Sequence, residues 1–207
     1  MFRDRRDAGA RLATALEGTV DQPALVLGIP RGGVIVALPV AVALRAPLDV
    51  IVPRKLGAPH NAELGIGAVA PGVLIVDDRL VRILGVPEGY IEGEAAAQES
   101  EIHRRVAAYR GKRPPLDFTD RTVVVVDDGV ATGVTAIAAL RSARKAGASR
   151  VVFAAPVGPA GIEQILEPEC DACTVLETPA SFGAVGEWYE RFAQVSDDEV
   201  RAALDDA

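Results

Sequence analysis

The chain has 207 residues, 49% hydrophobic and 25% charged, a composition that suits one globular domain able to bury roughly 70% of its unfolded surface. A net charge of −7 and a pI near 4.9 argue against a nucleic-acid partner, because phosphate backbones attract basic surfaces. No stretch reaches the ~20 uninterrupted apolar residues of a membrane span, and the charged start MFRDRRDAGARLATALEG is not a signal peptide, so a cytoplasmic location is expected.

In chain order, Phe2, Leu12 and Leu16 are spaced for one face of a first helix that stops near Gly18. ALVLGI (24–29) reads as a buried strand, running into PRGG and a helix, VIVALPVAVALR, that Pro39 should bend or begin. LDVIVP (48–53) is a second strand. RKLGAPHNAELG (54–65), polar and marked by Gly and Pro, reads as a loop, and the apolar runs either side of Pro71-Gly72 read as two strands. Residues 87–110 form one long helix opened by Pro87, with glutamates early and arginines late to complement its dipole. TVVVVD (122–127) is the next strand, followed by a helix from about Val134 to Ala146. VVFAAPV (151–157) and ACTVLE (172–177) are further strands with a short helix, GIEQILE, between them. Ser196 and Glu199 make a capping box for a last helix. Cys170 and Cys173 have no second cysteine pair and read as small hydrophobes leading into a strand.

Continuously apolar strands alternating with helices indicate an α/β fold, a mainly parallel sheet flanked by helices on both faces. Such sheets bind ligands beyond the carboxyl ends of their strands, which brings Gly28–Gly33, Pro53–Leu56 and Asp127–Thr135 to one edge. The most informative stretch is VVVVDDGVATGVTA (123–136). Its strand ends in Asp127 and Asp128, acceptors suited to vicinal hydroxyls or a hydrated metal ion. Its turn offers successive backbone N–H groups, the positive end of the next helix, and the hydroxyls of Thr132 and Thr135. That is a monophosphate cradle beside a diol acceptor, the layout of a ribose 5-phosphate. VLIVDDRLVRILG (73–85) also ends a strand in two aspartates but lacks the Gly/Thr turn, so Asp77 and Asp78 read as a helix start. Walker A and GxGxxG loops are both absent.

VVVVDDGVATGVTA resembles the PRPP-binding motif of type I phosphoribosyltransferases: an apolar strand, two acidic residues, three small residues, then Thr-Gly-x-Thr. GIPRGGVIVA (28–37) is similar to that family's pyrophosphate loop, which often carries a non-proline cis peptide. VPRKLGAPHNAELGIGA (52–68) resembles the strand end and mobile catalytic loop, with Gly57, Ala58 and Pro59 replacing the basic spacing of orotate-type members. ETPASFGAVGEWYERFAQVSDDEV (177–200) resembles the tail of a little-characterised bacterial subfamily. The resemblance implies a single domain over 1–207 with 177–207 as a small C-terminal hood, and a flexible loop hairpin. It implies a transferase that uses PRPP and Mg²⁺ to place a 5-phosphoribosyl group on a nitrogen nucleophile, as in nucleobase salvage, with release of pyrophosphate. By the same resemblance, Asp127, Asp128, Arg54 and Lys55 are the catalytic set. Gly129, Val130, Ala131, Thr132, Gly133, Val134 and Thr135 wrap the 5-phosphate, and Pro30, Arg31, Gly32 and Gly33 meet the pyrophosphate. His60 and Glu63 belong to the mobile loop. Trp188 and Tyr189, clustered with Phe192, form the acceptor hood or seal the terminal helix to the core. Mg²⁺ comes with PRPP, Asp127 and Asp128 being outer-shell contacts. A PRPP sensor or RNA-binding regulator without turnover stays open as the alternative, and so does a homodimer.

Overall fold

A computed structural model describes all 207 residues. The chain runs α1 (Arg5–Leu16), β1 (Ala24–Gly28), α2 (Gly32–Leu44), β2 (Leu48–Val50), β3 (Arg54–Ala58), β4 (Asn61–Ala70), β5 (Val73–Val76), α3 (Asp78–Leu84), α4 (Tyr90–Arg110), β6 (Thr122–Val126), α5 (Val134–Lys145), β7 (Arg150–Val157), α6 (Ile162–Leu166), β8 (Ala172–Glu177) and α7 (Asp197–Asp205). Five strands pair in parallel in the order β2-β1-β6-β7-β8. The valine run of β6 is explained by its place at the centre. Val124 and Val126 enter the core under α1, α2, α4 and α7, while Val123 and Val125 enter the one under α5 and α6. A strand covered on both faces needs apolar side chains at every position.

The remaining strands form a separate antiparallel sheet, β3-β4-β5. The loop expected at 54–65 is therefore β3 and the outer half of β4, turning at Pro59 and His60. Its polar composition has a simple cause. The first four residues of β4 are exposed and its last five are buried, whereas Leu56 to Ala58 of the paired β3 are buried, so the outer end of the ribbon meets water along β4 only. Tyr90 of α4 donates its hydroxyl to the Gly57 carbonyl at 3.0 Å and ties the ribbon down.

Local signals explain the ends of other elements. Asp77 caps α3 by accepting from Leu80 N at 2.9 Å, and the Ser196–Glu199 capping box opens α7. Pro39 lies inside α2 rather than at its start, and α4 begins at Tyr90, after the positive-φ Gly89, rather than at Pro87. Phe2 lies outside α1, because the Asp4 side chain caps the helix by accepting from Asp7 N at 3.0 Å. It forms instead a bridge to Tyr189. Cys170 and Cys173 are free and half-buried against the α5–α6 core. No helix is long and apolar enough to cross a membrane.

α4 is fastened to the edge strand by charge. Arg110 Nε lies 3.0 Å from both carboxylate oxygens of Asp49, which is buried in β2. Removing one partner of such a pair leaves the other uncompensated, at about 3–5 kcal/mol. Asp49→Ala should thus lower the urea-unfolding free energy by about 3 kcal/mol. A loss below about 1 kcal/mol would mean that the pair does not anchor α4.

Candidate active site

The cleft is built where β1 and β6 end side by side. Gly28 pairs with Val126, and Ile29 N continues the pairing by donating to the Val126 carbonyl at 2.8 Å. Both following loops thus leave the same edge together, and α2 and α5 start there. The peptide between Pro30 and Arg31 is cis. The amides of Arg31, Gly32 and Gly33, and those of Ala131 to Thr135, have no acceptor within the protein. Two sets of free N–H groups, each at the positive end of a helix, therefore flank the acidic pair. Gly133 sits at φ +80° as the residue before α5, a backbone state that favours glycine. Val130 is the exception in the loop: it is buried, and its N–H donates to the Val157 carbonyl at 2.9 Å. Its amide is thus already engaged, unlike those of Ala131 to Thr135.

The two aspartates are not equivalent. Asp127 Oδ1 accepts from Asp128 N at 2.8 Å, and burial, followed by the neighbouring Asp128 carboxylate, pushes Asp127 well above the usual carboxylate range. Asp128 Oδ2 accepts from Arg5 Nε at 2.7 Å. The pair is so close to α2 that a side chain on Gly32 would overlap that oxygen. Arg5 was invisible in the sequence, because it belongs to a charged run 123 residues away and matches no motif.

The C-terminal segment forms the opposite wall. Of Trp188 and Tyr189, expected in the hood, Tyr189 contacts the acidic pair through its hydroxyl, and neither borders the cleft. Tyr189 is buried between Phe2, at 5.5 Å between ring centres, and Phe192, at 4.9 Å. Its hydroxyl donates to the Asp128 carbonyl at 2.5 Å, and burial raises its pKa. The Trp188 indole N–H is buried without an acceptor. Phe192 is the ring that borders a cleft of about 400 Å³, together with Arg5, Arg31, Gly32, Asp128 and Ala193 to Val195. Of the expected hood, only this stretch approaches the cleft; α7 packs its Val200, Ala203 and Leu204 into the main core.

The remaining expected residues lie on the ribbon. Lys55 Nζ donates to the Glu63 carbonyl at 2.7 Å, and His60 is exposed at the turn with φ 63°. Arg54 donates to Gln98 Oε1 at 2.9 Å, and burial, with a further contribution from Arg105, lowers its pKa. Arg31 Nη1 lies 3.7 Å from Asp197. A second cavity, about 360 Å³ and more apolar, lies between Val50, Val106, Leu116 and Phe118. It has neither Asp128 nor the start of α2.

The family model described as "Phosphoribosyl transferase domain" matches residues 4–199. The chain belongs to the phosphoribosyltransferase family. It is 45% identical over 208 residues to "Putative phosphoribosyl transferase Rv0571c" of Mycobacterium tuberculosis H37Rv, and equally so to its counterpart in strain CDC 1551. All of this chain is covered, but 47% of those relatives, so it spans about half their length. The crystal structure of TT1426 from Thermus thermophilus superposes with a TM-score of 0.83 at 43% identity, covering 98% of this chain and 97% of that one. The mainly parallel five-stranded sheet flanked by helices is the type I phosphoribosyltransferase architecture expected from the motifs.

The raised Asp127 pKa has a thermodynamic consequence. A carboxyl whose folded pKa exceeds its unfolded value contributes most stability below the unfolded value, and loses it as pH rises through the folded one. At neutral pH Asp127 therefore costs stability. Asp127→Asn should raise Tm at pH 7 by roughly 2–4 °C, the shift about 1 kcal/mol produces in a domain of this size, with the gain shrinking toward pH 4. Calorimetry of the two proteins across that range checks it, and a lower Tm for the variant at pH 7 would contradict it.

Proposed function

We propose that this domain transfers the 5-phosphoribosyl group of PRPP to a nitrogen nucleophile of nucleobase type and releases pyrophosphate. The observation that carries the reading is the convergence at one sheet edge of two free amide sets on either side of an acidic pair. The amides of Ala131 to Thr135, with the Thr132 and Thr135 hydroxyls, hold the 5-phosphate. Arg31, Gly32 and Gly33 hold the pyrophosphate, while Asp127 and Asp128 receive the ribose hydroxyls. Family membership supports this assignment, and so does the order of the loops along the chain.

No group of three or more His, Cys, Asp or Glu side chains converges to hold a metal. In this reading the divalent cation therefore enters as part of the substrate, as Mg–PRPP. Bound there, Mg²⁺ supplies charge neutralisation for the diphosphate oxygens. The chain's own contribution is orientation and fixed dipoles. Breaking of the bond from ribose C1 to the diphosphate oxygen runs ahead of bonding by the nitrogen, so the ring carries positive charge as in glycoside chemistry; the electron pair leaves with pyrophosphate and the nitrogen's proton passes to solvent. Amides already aimed at the departing oxygens need no reorganisation, and donors of this kind contribute on the order of 3 kcal/mol each. Lys55 would join by exchanging its bond to the Glu63 carbonyl for the leaving group, with Arg54 beside it and His60 and Glu63 moving with the ribbon. The hood, fastened by Trp188 and Tyr189, excludes water from the cationic sugar.

The test is pyrophosphate release from Mg–PRPP in the presence of a panel of purines, pyrimidines and other nitrogen bases. Release that depends on one acceptor is expected, and Asp128→Asn should weaken PRPP binding at least about tenfold, or ~1.4 kcal/mol. PRPP binding without release for any acceptor would favour a sensor, and no uptake of PRPP at all would sink both readings.

A further inference from the structure

Arg5 stands outside every motif that defines the site, yet it is held in the cleft by three contacts. Its Nε donates to Asp128 Oδ2 at 2.7 Å, its Nη1 donates to the Ala193 carbonyl at 2.8 Å, and its Cζ lies 3.8 Å from the centre of the Phe192 ring. One guanidinium thus joins the N-terminal helix, the acidic pair and the hood. Only 11% of its side chain is exposed, against 74% for Arg191, whose bond to Asp4 also joins the chain ends but lies at the surface. Such burial makes the pair sensitive to geometry rather than screened by solvent.

The pairing is also one-sided. Arg5 takes Oδ2 of Asp128, and Oδ1 receives no N–H or hydroxyl donor, its carboxylate being within hydrogen-bond reach only of the Asp127 carboxyl besides. A carboxylate gripped at one oxygen by a planar, tethered fork cannot swing freely, so its other oxygen keeps one direction in the cleft. The absent side chain at Gly32 leaves the space this arrangement occupies, since a Cβ there would lie 2.6 Å from Arg5 Nε.

We propose that Arg5 is a positioning residue for the sugar: it aims the free oxygen of Asp128 at one of two vicinal hydroxyls, and makes docking of the hood a condition of that aim. The inference rests on the reading of the acidic pair as the ribose site. It assigns the cleft a preference for a sugar phosphate with both hydroxyls, set by a residue that does not itself belong to the phosphate cradle.

The experiment compares binding of ribose 5-phosphate, its 2-deoxy and 3-deoxy analogues, and inorganic phosphate by calorimetry. Wild type should prefer ribose 5-phosphate over both analogues at least tenfold. Arg5→Gln should cut the preference over one analogue below threefold while inorganic phosphate affinity stays within twofold. Arg5→Lys keeps the charge but cannot bridge Asp128 and Ala193, and should lose at least threefold of that preference; it carries the test if the Gln variant does not fold. Equal weakening toward all four ligands would show a merely structural role and overturn the inference. So would an intact preference in a folded variant. A wild-type chain that takes up none of the sugar phosphates would overturn the sugar reading itself, and this inference with it.

Discussion

The parallel pairing of β1 with β6 is the constraint on which the site depends. Because Gly28 lies opposite Val126, and Ile29 donates one step further to the Val126 carbonyl, two loops distant in sequence leave the sheet as neighbours. Each opens a helix, so two positive helix ends and two rows of free amides lie at one edge of the sheet. If the register slipped by one residue, the valines of β6 would exchange cores and the acidic pair would turn away from the Gly32 backbone. The same pairing that buries the strands therefore aims the chemistry.

An acidic chain carrying a candidate polyanion site presents an electrostatic problem, and the structure answers it locally. Backbone amides attract phosphate without adding charge to the chain. The acidic pair, which would repel the same ligand, is offset in two ways: burial favours the protonated form of Asp127, and Arg5 pairs with Asp128. Arg31 at the start of α2 adds positive charge at the mouth of the cleft. The net charge of −7 thus describes the surface and not the site.

The two ends of the chain meet to complete the cleft. Phe2 N donates to the Trp188 carbonyl at 2.8 Å, Glu190 N to the Phe2 carbonyl at 2.9 Å, and Arg191 N to the Arg3 carbonyl at 3.0 Å. This clasp places Arg5 over Asp128 and presses the Tyr189 hydroxyl onto the Asp128 carbonyl. It also explains the aromatic cluster. Tyr189 fills the space between Phe2 and Phe192 and so closes the wall, leaving Phe192 as the ring beside the opening.

The sequence by itself determined the elements whose cause is local: the valine run that must be buried on both faces, the Asp77 cap, the Ser196–Glu199 box, and the strand-to-helix turn from Asp127 to Thr135. It misread 54–65, because the Pro59–His60 turn and the exposed polar start of β4 have the composition of a loop. It also placed Phe2 on α1, because the spacing did not reveal that Asp4 would start the helix after it. Tertiary structure alone decided that Val130 faces the core, that Tyr189 is enclosed rather than open for stacking, and that Arg5 meets Asp128. The physical reason is range: capping and burial patterns are written in neighbouring residues, whereas a contact across 123 positions exists only after the sheet register has brought its partners together.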